Sequence, residues 1–396
     1  MLGLAALAVG LVLAAASPAR AQFGMGMGGD ASEFMDYAIS RDAASGYGEL
    51  MRFDGDQRST MMMLHEGYLD EYKQMVDTIS EAMRQIQDEM QETRDWEASM
   101  PAIGKIMLAF MDRADTLESD FMADLKMLAF EPAQEEAFVR VERARRREVA
   151  SQMGTISGAG IDLYAIRKQS EVDDNEAVSA ALQSYETEID GVNKRFIDLM
   201  LGTSRTQLEK MADPDEDLWG GAMMETWQEQ MATMRELGLQ AKGINERFAR
   251  QVKLALPPEQ QPIWDLEVKR RTWPQVYRES SAERLMDAAG KFDDLDTAQR
   301  EGLEALRQAY AREAAPVNQR WSEAIDEQQS GEDTWFGWGG DDTKTTEAAA
   351  DRKSIDERFE QRLRDLLTPE QAERLPKSAS SGFDADAVIR QFGGGG

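Results

Sequence analysis

Phe53-Asp54-Gly55-Asp56-Gln57 is a short text that this chain of 396 residues writes repeatedly. It returns as Phe130-Glu131-Pro132-Ala133-Gln134. Val172-Asp173-Asp174-Asn175-Glu176 is followed in the same way by Leu256-Pro257-Pro258-Glu259-Gln260, and Leu295-Asp296-Thr297-Ala298-Gln299 by Leu367-Thr368-Pro369-Glu370-Gln371. The first members of the three pairs start 119 and 123 residues apart, and the partners within a pair lie 77, 84 and 72 residues apart. A recurrence of this kind fixes the architecture before any single residue is interpreted. It also counts against one enzyme active site, which needs an asymmetric cluster of side chains.

The motif is first of all a helix start. In Leu367–Gln371, Thr368 suits the N-cap, Pro369 the first helical position and Gln371 the third, which is a capping box with a proline lead. Asp54 with Gln57, and Asp296 with Gln299, repeat the geometry with aspartate as the cap. Pro132 with Gln134, and Pro258 with Gln260, keep the proline and glutamine behind a weaker cap. The leading Phe or Leu is expected to dock on a neighbouring helix.

Between the motifs the apolar residues keep helical time. Val76, Ile79, Met83, Ile86 and Met90 step by four and three, the spacing of a heptad seam. Ile103, Ile106, Phe110, Ala114, Leu117, Phe121, Leu125 and Leu128 mark one face of another helix. No stretch alternates apolar and polar residues for long enough to compete as a strand. Each repeat thus reads as a helix from the first motif carrying Tyr68, Tyr185 or Tyr310, a loop near Trp96, Trp219 or Trp338, and a second helix running to the second motif. A third helix follows, with Phe138 or Trp264 and a basic cluster (Arg140, Arg143, Arg145, Arg146 and Arg147, or Lys269, Arg270 and Arg271). The last copy stops soon after Gln371, as terminal repeats do.

A second pattern recurs: apolar, Asn or Asp, any residue, Arg, aromatic. It appears at Val192–Phe196, Ile244–Phe248, Val317–Trp321 and Ile355–Phe359. Its apolar and aromatic members share a helix face. Arg195, Arg247, Arg320 and Arg358 can lay their stems over that face and pair with an acid. Together with Trp96, Trp219 and Trp338 they are the candidate anchors of the repeat.

Composition bounds the rest. Leu2 to Ala16 is an apolar run, and Ala19-Arg20-Ala21 offers a cleavage site before Gln22, so a signal peptide over 1–21 and a periplasmic or secreted location are expected. No later run is apolar enough to span a membrane. The chain has no cysteine and one histidine, His65, which excludes thiol catalysis, cysteine and multi-histidine metal sites, and Ser–His–Asp triads. A net charge of −29 repels nucleic acid and anionic lipid, while 42% hydrophobic residues in periodic order argue for a folded acidic protein. Carboxylates are too many to single out a catalytic pair, so no catalytic residue and no cofactor is expected.

Two metal readings stay as minor alternatives. Asp213, Asp215 and Asp217 are spaced like the first ligands of a calcium loop, but Leu218 stands where glycine belongs and Met224 where glutamate belongs. The 24 methionines, including Met25, Met27 and Met61–Met63 beside His65, offer soft ligands for Cu(I), although most fall on helical core stripes. Trp335 and Phe336 join Trp338 in a Gly- and Asp-rich loop, either as a sticky contact point or tucked against helices.

The paired L-T-x-x-Q-like segments, on an exported cysteine-free helical chain, resemble the LTXXQ-motif family of periplasmic stress proteins. Leu367–Gln371 matches that consensus in full and the other copies are variants. The chain departs from the family in length, in its tandem units and in its acidity. The resemblance implies a helical cradle acting as an ATP-independent chaperone or envelope-stress sensor, with unfolded or envelope proteins as clients.

The expected fold is therefore all-α: three tandem units of long amphipathic, partly coiled-coil helices. A flexible N-terminal segment and lead-in over 22–52 precedes repeat 1 over 53–171, repeat 2 over 172–294, a truncated repeat 3 over 295–376 and a disordered Gly-rich tail over 377–396. The expected function is a non-enzymatic interaction protein. The competing readings are a structural coiled-coil component of the cell envelope and a protein that sequesters copper or calcium. Self-association into a homo-oligomer stays open.

Overall fold

The computed structural model describes residues 35, 37–152, 156–214, 221–330 and 342–376. Every regular element among them is a helix, so the all-α expectation is borne out. The helices are α1 (Arg41–Leu50), α2 (Gly55–Thr93), α3 (Trp96–Met127), α4 (Pro132–Gln152), α5 (Leu163–Ser170), α6 (Glu176–Ala212) and α7 (Gly221–Ala255). They continue as α8 (Gln261–Thr272), α9 (Pro274–Tyr277), α10 (Ser281–Gly290), α11 (Thr297–Ser330), α12 (Thr343–Leu366) and α13 (Pro369–Glu373). The chain divides into two compact units, Met1–Trp264 and Asp265–Gly396. No helix of the described residues is long and apolar enough to cross a membrane.

In the first unit α2 and α3 form a hairpin, turned at Arg94, whose φ of 55° is left-handed, and Asp95, which caps α3 by accepting from Ala98 N. Tyr68, Tyr72, Val76, Ile79, Met83 and Ile86 of α2 are buried with Ile103, Phe110, Ala114, Leu117, Phe121 and Leu125 of α3. These are the stripes that the periodicity marks. A second hairpin pairs α6 with α7, and α6 also packs against α3 and α4. The α6 helix is thus the shared wall of the unit, apolar on several sides: Val178, Tyr185, Ile189, Phe196, Ile197, Met200 and Leu208 are all buried.

The third hairpin, α11 with α12, lies in the second unit, and α10 packs against both of its helices. Its core joins Leu285, Met286, Leu303, Leu306, Tyr310, Phe359 and Leu363 to Leu367 and Leu375 around α13. In the first unit Trp264 is fully buried and donates from Nε1 to Ala249 O at 2.9 Å.

Two expectations are corrected. Part of 22–52, read as a flexible N-terminal segment and lead-in, is the helix α1: Ser40 caps it by accepting from Ala43 N, and Ala44, Tyr47 and Gly48 are buried. Its period is short and its apolar content low, so no long seam announces it. Phe130, expected to dock like the other leading residues, is exposed, whereas Leu256 and Leu367 are buried.

A close crossing is made by α3 and α6 at Gly104. A Cβ placed there would stand 2.6 Å from Ala212 N and 2.9 Å from Leu208 O, both backbone atoms that cannot swing aside. Gly104→Ala is therefore expected to push the helices apart and lower unfolding stability by about 1–3 kcal/mol, despite the gain in helix propensity. A denaturant titration showing equal or greater stability would contradict this contact.

Candidate functional site

The motif glutamines meet in pairs. Gln57 accepts from Asp54 N at 3.0 Å while Asp54 accepts from Gln57 N at 2.9 Å, a complete capping box. The same Gln57 side chain then turns its amide nitrogen outward from the cap. It donates to Leu128 O at 2.7 Å and to Gln134 Oε1 at 3.2 Å. Gln134 answers by donating from Nε2 to Gln57 Oε1 at 3.0 Å and accepting from Phe130 N at 3.0 Å. The backbone donors settle the orientation of both carboxamides, because only an oxygen can accept from Asp54 N or Phe130 N. Both side chains are buried.

The last pair is built alike. Gln299 closes a box with Asp296, and Gln371 closes one with Thr368 behind Pro369. Gln299 Nε2 donates to Gln371 Oε1 at 2.8 Å and to Leu366 O at 3.2 Å, and Gln371 Nε2 donates to Asp294 O at 3.2 Å. In the middle pair Glu176 takes the last motif position but is the first residue of α6 rather than the third, and other atoms close the joint. Asn175 caps α6, donating from Nδ2 to Ala255 O at 2.9 Å, and Gln260 Oε1 accepts from Asp173 N at 2.8 Å. Pro258 precedes α8.

A second recurrent contact lies deeper in each hairpin. Tyr68 packs on Phe121 with ring centroids 5.3 Å apart, Tyr185 on Phe248 at 5.8 Å and Tyr310 on Phe359 at 5.3 Å. Each hydroxyl ties down the strand of backbone that leads into a short helix. Tyr68 accepts from Ile39 N at 3.0 Å, before α1. Tyr185 donates to Ile161 O at 3.2 Å, before α5. Tyr310 lies 2.6 Å from Ser280 Oγ, the cap of α10, and 2.6 Å from Asp356 Oδ1. An ionised carboxylate only accepts, so the Tyr310 phenol donates to Asp356. Arg352, itself buried, completes this node by donating to Tyr310, Asn318 and Asp356.

Three residues before each of these phenylalanines stands a polar group: Glu118, Asn245 or Asp356. Asn245 donates to Gly158 O at 2.7 Å and Ala159 O at 3.0 Å, beside Gly158 with its left-handed φ of 84°. Glu118 receives Arg145 twice, at 2.8 and 3.1 Å. Glu118 was not legible in the sequence pattern, because Leu117-Glu118-Ser119-Asp120-Phe121 replaces the arginine by Asp120. The four-residue step from Leu117 to Phe121 is the signal that remained.

The basic cluster of α4 is consumed by pairing. Arg145 binds Glu118 and Glu148 and donates to Tyr37 O at 3.0 Å. Arg146 grips Asp190 through two bonds, at 2.6 and 3.1 Å, and Arg140 and Arg143 flank the buried Glu186 at 3.3 and 3.4 Å. Arg147 pairs with Asp162 at 3.4 Å and covers the Tyr164 ring at 4.7 Å. Burial alone would push the Glu118 carboxyl up, but the Arg145 guanidinium overrides it and holds that carboxyl below the usual range. Burial, reinforced by Glu148, pushes the Tyr47 phenol well up, and Tyr47 donates to Glu148 at 2.9 Å.

The remaining anchor candidates sit on the outside of their hairpins. Arg195 of α6 reaches Gln240 of α7 at 2.9 Å, and Arg247 of α7 reaches back to Glu188 of α6 at 2.5 Å. Arg320 of α11 pairs with Asp351 of α12 at 2.9 Å, and Arg358 of α12 pairs with Glu313 of α11. Trp219 and Trp338 lie outside the described residues, as does the side chain of Trp96, whose backbone begins α3. The same holds for Asp215, Asp217, Trp335 and Phe336. Among the described residues no three His, Cys, Asp or Glu side chains converge as a metal site. His65 is fully buried, with Nε2 donating to Ile39 O at 2.8 Å. A cleft of about 260 Å³ opens in the second unit between Arg270, Glu279, Glu283, Asp287, Arg307 and Tyr310.

Compared with family models, curated proteins and solved structures, the chain matches none of them.

The clasp separates glutamine from glutamate. Either would complete a capping box, but only glutamine can also donate across the joint. Gln57→Glu should therefore leave Gln134 Oε1 and Leu128 O facing a buried carboxylate. The expected loss is about 2 kcal/mol in a denaturant titration, and an unchanged midpoint would exclude the joint as a stabilising contact.

Acid should act on Glu118. Its pairing contributes stability that is fully present above the ordinary glutamate value of about 4.3 and is lost as pH falls below it, because the unfolded chain takes up the proton first. Glu118→Gln should cost on the order of 3 kcal/mol at neutral pH and remove this part of the acid-side decline. Parallel acid limbs for the two proteins, measured between neutrality and acid unfolding, would show that the pair does not act this way.

Proposed function

We propose that this chain is an exported, non-enzymatic interaction protein, built as three tandem helical units, that holds unfolded or envelope proteins. The tandem reading is supported by the recurrence of three things in one register: a joint of paired motifs, a tyrosine–phenylalanine contact, and a short helix tied down by the tyrosine. Amphipathic seams of the kind used by coiled coils pack the long helices. The signal segment at 1–21 would deliver the chain to the periplasm or the exterior.

One observation carries the functional reading. The motif glutamines Gln57, Gln134 and Gln371 are buried and bonded across the joints, while large apolar side chains remain outside. Met63, Met127, Phe130, Leu254 and Ile263 are all exposed. Scattered apolar residues are ordinary on a surface. Here Met63, Met127, Leu254 and Ile263 stand on helices, and methionine adapts to varied partners. A chaperone-like role, as the LTXXQ resemblance implies, makes use of such contacts without a reaction centre.

The test is turbidity of a chemically denatured test protein diluted into buffer with and without the purified chain. Suppression of aggregation near stoichiometric ratio is expected without added nucleotide. Aggregation unaffected by a several-fold excess of the chain would reject the client-binding reading.

A further inference from the structure

The junction of α3 and α4 carries a surface with a definite chemistry. Phe130 is 75% exposed, although its counterparts Leu256 and Leu367 are 3% and 8% exposed. Met127, the last residue of α3, is 69% exposed, and Val139 on α4 is 46% exposed. Pro132, Glu135, Glu136 and Val139 follow the i, i+3, i+4, i+7 rule and form the outer face of α4, all of them exposed. The opposite face, Gln134, Phe138, Val141 and Arg145, is buried.

The backbone that carries Phe130 is held in place from behind. The peptide nitrogens of Phe130 and Glu131 both donate to Gln134 Oε1, at 3.0 and 3.3 Å, within the buried joint with Gln57. The exposed ring therefore stands on fixed backbone, which lowers the entropy lost on binding. Lys126 is the cation close by in sequence, and its ammonium lies 5.5 Å over the Phe138 ring.

Charge selects the occupant. Glu131, Glu135 and Glu136 are exposed, and among the described residues none of them forms an ion pair. The α4 arginines that could balance them are engaged with Glu118, Glu148, Asp162, Glu186 and Asp190. A second copy of this face would bring three more free carboxylates, on a chain of net charge −29. Anionic lipid and nucleic acid are repelled in the same way.

We propose that the ridge of Met127, Phe130 and Val139, framed by Glu131, Glu135 and Glu136, is a docking surface for a basic polypeptide segment that offers an apolar or aromatic anchor. The apolar side chains supply a contact patch for the anchor, and the carboxylates steer and orient its cations. This rests on the client-binding reading and names the client chemistry for one place on the protein.

The experiment uses fluorescence anisotropy with the full chain. One probe is a labelled peptide of lysine, leucine and a tryptophan; the control replaces every lysine by glutamate. The lysine peptide should bind and the glutamate peptide should not. Phe130→Ser, and separately the triple change Glu131→Gln, Glu135→Gln, Glu136→Gln, should each weaken binding about tenfold or more. Half-molar salt should weaken the wild type and leave the triple variant little changed. These side chains are exposed, so unchanged circular dichroism and denaturation midpoints are required of each variant. Equal binding of both peptides, or variants within about twofold of wild type, would overturn the docking surface. So would a concentration-dependent dimer that Phe130→Ser abolishes, since the ridge would then belong to a second copy. Turbidity run in parallel separates the two ideas. Suppression that both variants retain in full would leave the client-binding reading standing without this ridge, and no suppression by the wild type would reject that reading itself.

Discussion

A buried carboxamide must find partners for both of its ends, and here that demand joins distant parts of the chain. At Gln57 the oxygen is fixed by the start of its own helix, so the nitrogen has to donate elsewhere. It finds Gln134, whose own oxygen is fixed by the next helix start. Two local instructions, each complete as a cap, thus become one long-range contact. The hairpin between them cannot slide, because a shift of one residue would strand four buried polar groups at once.

The arginines of α4 add a different constraint. Hydrogen-bonded pairs tie that helix to α3 through Glu118 and to α6 through Glu186 and Asp190. Such pairs gain less net stability than their Coulomb attraction suggests, since both partners leave water. They do fix which face of α4 turns inward. They also remove positive charge from the surface, so the exterior presents an excess of acid beyond what a mixed composition would show.

Much of the architecture could be read from the residues. The seams of α2 and α3 follow directly from the spacing of Val76 to Ile86 and of Ile103 to Leu125, because long helices leave long periodic records. The caps at Asp54, Asp296 and Thr368 were legible for the same local reason. The meeting of Gln57 with Gln134 was not. Their role in the cap accounts fully for both glutamines, and nothing in a linear text shows a leftover donor. The partners of the α4 arginines were equally hidden, since 74 acidic residues offer too many choices. The helices α1, α5 and α10 span only 10, 8 and 10 residues, too few turns to stand out. Phe130 shows the reverse limit: its sequence position matches Leu256 and Leu367, and only burial in three dimensions separates them.

The joints sit at one end of each hairpin, and this has a consequence for how such a chain can change. The motif partners are separated by 77, 84 and 72 residues, yet the closing contacts are built at the motifs in every case. Like the blades of shears riveted at one end, the paired helices can differ in length at the far tip without disturbing the rivet. The turn at Arg94 and Asp95 is such a tip, exposed and two residues long. Inherited insertions and deletions would accumulate there by whole helical turns, so the reach of each hairpin can evolve separately from the joint that closes it.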